Sequence, residues 1–203
     1  MKVKFTFFLL IFCSMCILDC SKKAMIRKYY VLEPDSLITS EDIQITEKLP
    51  YSVDVREFNI AKAFSQPRIA VRLESHKINY YYYHLWATHP SSAISYMVFR
   101  LIDGSGMFKK TTLGFSIESD YIVTGNIHKL EIIERDDDLF AHLNIIYSLI
   151  DNLNDEEIVR TSSDRVVRLE EKSINKFAAE ISQLIKETTY DYLMKVNNQL
   201  TSN

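Results

Sequence analysis

A stretch in the middle of the chain, residues 67–90, constrains the fold more than any other segment. Apolar and polar residues alternate over residues 69–73, which is the period of a strand with one buried face. Polar residues 75–77 interrupt this pattern as a turn would, and a second apolar arm follows over residues 78–87. The aromatic residues of this second arm are Tyr80, Tyr81, Tyr82, Tyr83 and Trp86. The stretch therefore predicts a β-hairpin whose second strand carries aromatic side chains on both faces.

The four tyrosines are the strongest sequence signal for contact with another molecule. In a regular strand Tyr80 and Tyr82 share one face, and Tyr81 and Tyr83 share the other. One pair belongs to the core, and the other faces solvent, a protein partner or lipid, unless helices cover both faces. We expect Tyr81, Tyr83 and Trp86 to supply docking or homo-oligomer contacts. An exposed strand of this kind also invites edge pairing with another copy of the chain.

The rest of the sequence predicts further strands and two helices. Strands are predicted over residues 27–32, 51–60, 120–134, 139–149 and 158–160, with a bulge near Glu57 and loops over residues 36–50 and 162–164. Residues 90–102 and 173–198 carry apolar side chains on one side at helical spacing. Because amphipathic helices bury their apolar side on a sheet, we expect both on one sheet face. The expected fold is α+β: a single domain with a mainly antiparallel or mixed sheet and two amphipathic helices packed on it.

Two motifs and the histidines have structural interpretations that need no ligand. The run Asp136-Asp137-Asp138 lacks the alternate spacing of a calcium loop, and its place between two strands predicts a hairpin turn. Gly104 and Gly106 follow a predicted helix, so they favour a helix stop over a phosphate loop. The five histidines lack the i, i+4 spacing of a zinc-binding helix, so we expect structural or surface roles. We therefore expect no metal and no cofactor.

Catalysis and nucleic-acid binding receive no support from the sequence. It contains no G-x-S-x-G nucleophile elbow, and no pair of carboxylates stands out as acid and base. The formal net charge is −3 and no basic block occurs, so no nucleic-acid partner is expected. We expect that the chain is not an enzyme, and a periplasmic enzyme is kept as a remote alternative.

The N-terminus has the pattern of a bacterial lipoprotein signal. Lys2 and Lys4 precede an apolar run over residues 5–18, which is short for a membrane span and suits a signal peptide. All three cysteines lie within the first 20 residues, and polar residues follow Cys20 directly. Residues 1–19 are therefore predicted to be the signal peptide, and Cys20 is predicted to carry acyl chains such as palmitate.

One residue of this signal departs from the usual pattern. Asp19 stands where a small residue normally precedes the lipidated cysteine, so an uncleaved anchor or cleavage without lipid stays open. The residue after Cys20 is Ser21, whereas Asp at that position resembles the inner-membrane retention signal, so the outer membrane is favoured. The remaining chain divides into a tether over residues 20–28, a domain over residues 29–199 and a tail over residues 200–203.

Several short motifs resemble a known family, the ABC-type transport auxiliary lipoproteins, which include the paraquat-inducible protein C group. The matching segments are Pro67-Arg68-Ile69, residues 78–83, His84-Leu85-Trp86-Ala87 and Tyr29-Tyr30-Val31-Leu32. The likeness extends to the strand-rich second half and the closing helix, and so covers roughly the whole mature chain.

The resemblance implies a non-enzymatic periplasmic lipoprotein that serves an ABC transporter with an MCE-domain component. Such systems move lipids between the inner and outer membranes, and the auxiliary lipoprotein docks on the envelope-spanning protein. Together with the N-terminal signal, this predicts an outer-membrane lipoprotein anchored at Cys20 on the periplasmic face. The alternative is a lipoprotein of similar α+β build that assists a secretion channel or a cell-wall synthase.

Overall fold

The computed structural model describes residues 26–43, 48–114 and 116–202, so the signal peptide and Cys20 lie outside the described residues. Nine strands and two helices occur in the described part. In chain order they are β1 (Lys28–Tyr30), β2 (Leu49–Val55), β3 (Asn59–Ile60), β4 (Arg68–Glu74), β5 (Lys77–Trp86), α1 (Pro90–Ser105), β6 (Phe108–Leu113), β7 (Tyr121–Arg135), β8 (Asp138–Asp151), β9 (Glu156–Arg168) and α2 (Ile174–Thr201).

β7 is the central strand of one mixed sheet. On one side β8 runs antiparallel to it along its whole length, and β9 runs antiparallel to β8. On the other side β2, β3 and β4 pair in turn with successive parts of β7, all parallel to it. β6 extends the sheet beyond β2, and β5 and then β1 extend it beyond β4. Within the described residues, the sheet therefore ends on β1, β6 and β9, and the two-residue β3 pairs with β7 alone.

Strict alternation in β8 builds the core between the sheet and the helices. Its fully buried side chains are Ala141, Leu143, Ile145, Tyr147 and Leu149. α2 contacts β8 and β9, and α1 contacts α2, so both helices cover the same face of the sheet. Because each large apolar side chain that leaves water stabilises the fold by about 1.5–3 kcal/mol, this face supplies much of the stability.

Tyr147 connects the sheet to the second helix. Its ring stacks on Tyr192 of α2 with 5.1 Å between centroids, and Phe58 packs edge-on against it at 5.6 Å. Gly125 lies opposite Tyr147 on β7, and a Cβ at this position would overlap the Phe58 ring. The close packing of these aromatic rings therefore requires a glycine on the neighbouring strand.

Both helices begin at the residues that the sequence indicates. Pro90 occupies the first turn of α1, and Gly106 ends that helix with a left-handed φ of 63°, which confirms the predicted helix stop. Ser173 caps α2 by accepting a hydrogen bond of 3.1 Å from the backbone N–H of Lys176. Within the described residues, no helix has the length and apolar content needed to cross a membrane.

The α+β architecture is confirmed, and so is the hairpin at residues 136–138, where Asp136 and Asp137 have positive φ values. Two local expectations were wrong, and one strand was missed. Residues 162–164 lie inside β9, because β9 follows β8 along almost its whole length. The strand predicted over residues 51–60 is divided into β2 and β3. β6 was not predicted, because its FKKTTL sequence lacks a clear apolar alternation.

Candidate docking surface

β1 is an edge strand of the sheet. It pairs with the last three residues of β5, the strand that carries the four tyrosines. Its parallel register with β5 places Lys28 opposite His84 and Tyr30 opposite Trp86. Since β5 also pairs with β4, this end of β5 has a neighbouring strand on both sides. The expected edge pairing of another copy was therefore wrong for residues 84–86, where β1 takes the place at the edge.

β5 departs from regular alternation between its two pairings. Ala70 of β4 lies opposite Tyr80, but Arg68 lies opposite Leu85, so two steps along β4 correspond to five steps along β5. The surplus residues of β5 form a bulge between Tyr80 and Leu85. A bulge changes the direction of the side chains, so the tyrosines do not divide into the two faces that a regular strand would give.

His84 is the centre of an aromatic cluster beneath this edge. The Tyr30 hydroxyl lies 2.7 Å from Nδ1 of His84, and the two rings stack with centroids 5.6 Å apart. The ring of Tyr81 packs edge-on against the same imidazole at 5.4 Å. Burial lowers the pKa of His84, and the charge of Lys28 lowers it further, so the imidazole is neutral at neutral pH. The cluster therefore fixes Tyr81 against the core without adding charge.

Large apolar side chains are exposed on the outer side of the same edge. Ile26, Tyr29, Val31 and Tyr82 are each more than half exposed. Tyr29 lies on β1, Ile26 and Val31 lie just outside its two ends, and Tyr82 lies on β5, the strand that pairs with β1. Tyr83 packs edge-on against Tyr82 with 4.8 Å between centroids. We call Ile26, Tyr29, Val31, Tyr82 and Tyr83 the aromatic edge.

The three residues that the sequence singled out have different positions. Tyr83 is half-buried and belongs to the aromatic edge. Tyr81 is half-buried in the cluster around His84. Trp86 is only 4% exposed, and its ring lies 5.8 Å from that of Phe177 on α2, so it is a core residue. Tyr82, which the alternation assigned with Tyr80, has the most exposed ring on β5.

A groove runs beside the aromatic edge, between β1 and the start of α2. Its volume is about 500 Å³, and it is lined by Lys28, Tyr29, Tyr30, Val31, Glu33, Pro34, Asp35, Asn175, Ala178, Ala179 and Ser182. The backbone N–H of Glu33 donates to the Ser182 hydroxyl at 3.1 Å, which holds the chain after β1 against the helix. The groove and the aromatic edge together form a surface with apolar and polar parts, which is the composition of protein interfaces.

A row of charged side chains crosses the helix-free face of the sheet. Arg72 of β4 donates two hydrogen bonds to Glu131 of β7, at 2.9 and 2.8 Å, and the Glu131 side chain is fully buried. His142 of β8 lies 3.1 Å from the same carboxylate through Nδ1, and its Nε2 lies 2.8 Å from Asp164 of β9. We call these four residues the transverse network.

The ionisation of the transverse network follows from its contacts. Burial alone would raise the pKa of Glu131, but hydrogen bonds from His142 and Arg72 outweigh it and lower that pKa. Burial would lower the pKa of His142, but Glu131 and Asp164 outweigh it and raise that pKa. Sequence reasoning missed this network because its members are far apart in the chain and meet only through the strand register. The available signal was Glu131, a charged residue between the apolar residues Leu130 and Ile132 of β7.

The other histidines have local contacts or exposed positions. His89 hydrogen-bonds to Ser91 Oγ at 2.9 Å, and His76 and His128 are exposed. Over residues 26–43, 48–114 and 116–202, no group of three or more His, Cys, Asp or Glu side chains is placed to hold a metal ion. The aromatic edge, which contains two of the four tyrosines that the sequence singled out, is therefore the candidate docking surface.

Comparison with known families gives a match over most of the chain. Residues 30–191 match the model of a family described as the ABC-type transport auxiliary lipoprotein component. No curated protein sequence matches the chain.

Two solved structures show the same architecture. The crystal structure of a Xanthomonas campestris protein of the DUF330 family is 14% identical, with a TM-score of 0.73, and the match covers 87% of this chain and all of that one. A crystal structure of an uncharacterised protein is 8% identical, with a TM-score of 0.63, over 84% of this chain and 99% of that one. At these identities the likeness shows a shared fold.

Proposed function

Because this chain belongs to the family of ABC-type transport auxiliary lipoprotein components, we propose that it is a membrane-anchored periplasmic lipoprotein that assists an ABC transporter. In this proposal the transporter contains an MCE-domain component and moves lipids between the inner and outer membranes. The chain itself performs no catalytic step, and the ATP hydrolysis belongs to the transporter's own subunit. Support comes from the family match, which extends over most of the described domain.

The anchor in this proposal is an acylated Cys20 in the outer membrane. Five residues separate Cys20 from Ile26, so the aromatic edge begins within about 20 Å of the anchor when the tether is extended. Several acyl chains hold a protein on a membrane stably, which a single chain does not. The domain would therefore stay close to the membrane while one edge of its sheet remains in reach of an envelope-spanning partner.

The aromatic edge is the observation that carries the docking role. A monomer that leaves Ile26, Tyr29 and Tyr82 more than half exposed at one sheet edge has an apolar surface that water does not favour. Tyrosine is also enriched at the contacts that dominate binding energy, since it buries a large area with few rotatable bonds. We propose that this edge binds the MCE-domain component.

Co-purification tests the docking role. The full chain is co-expressed with the MCE-domain protein encoded beside it, and the bound fraction is measured after membrane solubilisation. The double variant Tyr29→Ser/Tyr82→Ser should lose about tenfold or more of the bound partner, the effect of removing a contact worth about 1.4 kcal/mol. Because both side chains are exposed, the melting temperature should stay close to that of the unchanged chain.

Tyr96→Ser is the matched control, since Tyr96 is a similarly exposed tyrosine on α1. It should leave the bound fraction unchanged. Equal loss in the control and the double variant, or full retention in the double variant, contradicts docking through the aromatic edge. If the unchanged chain binds secretion-channel or cell-wall-synthase proteins instead, the alternative lipoprotein role replaces the transport role.

A further inference from the structure

β9 is a long strand at the edge of the sheet. It pairs with β8 along one side, and no described strand lies along its other side. Its 13 residues contain neither proline nor glycine, and the central residues Thr161, Ser162 and Ser163 are small and uncharged. Natural edge strands are protected against pairing by prolines, bulges, covering loops or charged side chains. Residues 161–163 at the centre of β9 have neither proline nor charge, and the charged residues on either side, Arg160 and Asp164, have opposite signs.

The sequence of β9 is complementary to itself when two copies run antiparallel. With Ser162 on the twofold axis, Arg160 lies opposite Asp164 of the other copy, and the same pair occurs a second time by symmetry. On the other face Thr161 lies opposite Ser163, two small polar residues that pair well across strands. Moving the axis by two residues, to Asp164, would bring two Asp164 side chains together and place Arg160 opposite Arg168. Like charges directly opposite each other destabilise a strand pair, so the register centred on Ser162 is favoured over the one centred on Asp164.

The structure places both charged side chains where a second strand would meet them. Arg160 and Asp164 lie opposite Ser148 and Asn144 of β8, so they share the helix-free face. Their side chains are 54% and 59% exposed. Arg160 contacts Glu157 at 3.1 Å, and Asp164 contacts His142 at 2.8 Å. The Arg160–Glu157 pair is exposed and therefore weak, and Asp164 keeps more than half of its side chain exposed beside His142, so both groups can meet a second partner.

We propose that two copies of this chain join β9 to β9 in an antiparallel, twofold-symmetric pair centred on Ser162. The backbone hydrogen bonds of the free edge supply the affinity, and the two Arg160–Asp164 pairs set the register. Because the axis of an antiparallel pair is perpendicular to the sheet, the two sheets become one continuous sheet with all helices on the same face. This contact lies at the opposite end of the sheet from the aromatic edge, so it is independent of the proposed docking role.

A charge-exchange experiment tests this pairing. Two differently tagged copies of the full chain are co-expressed, the membranes are solubilised, and one tag is used to purify the complex. Two unchanged copies should co-purify. Two copies of Arg160→Asp should lose the second copy by about tenfold or more, because four carboxylates then meet at the interface. Two copies of Asp164→Arg should show the same loss. One copy of each variant should co-purify again, because opposite charges are restored on both sides.

The recovery in the mixed pair separates this proposal from general damage to the fold, since misfolded copies would not recover by mixing. Lys110→Asp on the edge strand β6 is the control, and it should not change co-purification. Failure of the mixed pair to recover overturns the proposal, as does equal co-purification in all combinations. Absence of co-purification between unchanged copies also overturns the proposal. The free edge of β9 would then be open to pairing with a strand of another protein.

Cross-linking gives a second readout that needs no charge reversal. Ser162→Cys places two thiols on the proposed axis, where a disulfide joins the two copies after mild oxidation. Ser92→Cys on α1 is the matched control at another exposed serine, and the native cysteines are the same in both variants. A covalent dimer should exceed the control by about tenfold for Ser162→Cys. Equal dimer in both variants contradicts the proposed axis.

Discussion

Glu131 is an acidic residue whose side chain is fully buried. Its buried carboxylate would destabilise the fold if it lacked partners, because a charge removed from water needs compensation. Arg72 supplies two hydrogen bonds and His142 a third contact. The charge of the carboxylate is therefore balanced by side chains from β4 and β8, the strands on either side of it. The transverse network therefore links β4, β7 and β8 at one height of the sheet, and Asp164 extends it to β9.

Removing Arg72 should show how strongly Glu131 depends on it. We expect Arg72→Met to lower the free energy of unfolding by about 3 kcal/mol, since breaking a buried ion pair leaves one charge without its partner. The double variant Arg72→Met/Glu131→Gln should regain part of this loss, because the unpaired charge is gone. Chemical denaturation measures both values. Arg68→Met, on the same strand but exposed, is the control and should change the value by less than about 0.5 kcal/mol.

His142 makes the stability depend on pH in a defined direction. Its pKa in the folded protein is raised above the ordinary 6.5, so the folded state holds this proton more tightly than the unfolded state. This stabilisation is complete below the ordinary pKa and is lost as the pH rises through the raised pKa. We expect the free energy of unfolding, measured by chemical denaturation, to fall over this window above the ordinary pKa.

His142→Asn should remove this part of the pH dependence, whereas His76→Asn, at an exposed histidine, should keep it. Identical slopes in the unchanged chain and in His142→Asn would show that the network does not bind the proton as described. Glu131 acts in the opposite direction. Its pKa is lowered below the ordinary 4.5, so its contribution is lost only as the pH falls through the lowered value.

At the scale of elements, the spacing of apolar residues was sufficient to predict a strand or helix wherever that element is regular. The alternation in β8 and the apolar stripe of α1 predicted both elements, because each buries one continuous side. The hairpin of β4 and β5 was predicted for the same reason. β9 was only partly predicted, because its exposed middle has no apolar alternation and is held as a strand by pairing with β8.

β5, the strand with four successive tyrosines, shows what the spacing of apolar residues cannot predict. Four successive tyrosines fit any register, so the sequence could not locate the bulge between Tyr80 and Leu85. It could not show either that β1 would pair with the end of β5, since parallel pairing depends on distant residues. The sequence therefore placed the candidate docking residues on β5, but Trp86 belongs to the core, and the exposure of Ile26, Tyr29 and Val31 became evident only from the fold.

At the scale of the whole molecule, the position of β1 relates the anchor to the proposed functions. The first described residues lead into the edge strand β1, so Ile26 and the rest of the aromatic edge lie at that end of the sheet. β9 lies at the other end. A protein anchored at Cys20 could therefore hold a partner near the membrane and still pair with a second copy through β9.

Lipidation of Cys20 is the prediction on which this arrangement depends. We expect mass spectrometry of the membrane-extracted protein to show an N-terminal peptide that begins at Cys20 and carries acyl chains, because the apolar segment and the polar residues after it form a lipoprotein signal. Cys16→Ser should leave this peptide and the outer-membrane fraction unchanged, whereas Cys20→Ser should abolish both. An unmodified Cys20, or a Cys20→Ser protein that remains in the outer membrane, would contradict the anchor. Since the core lies within residues 26–202, the melting temperature of the domain should be the same in both variants.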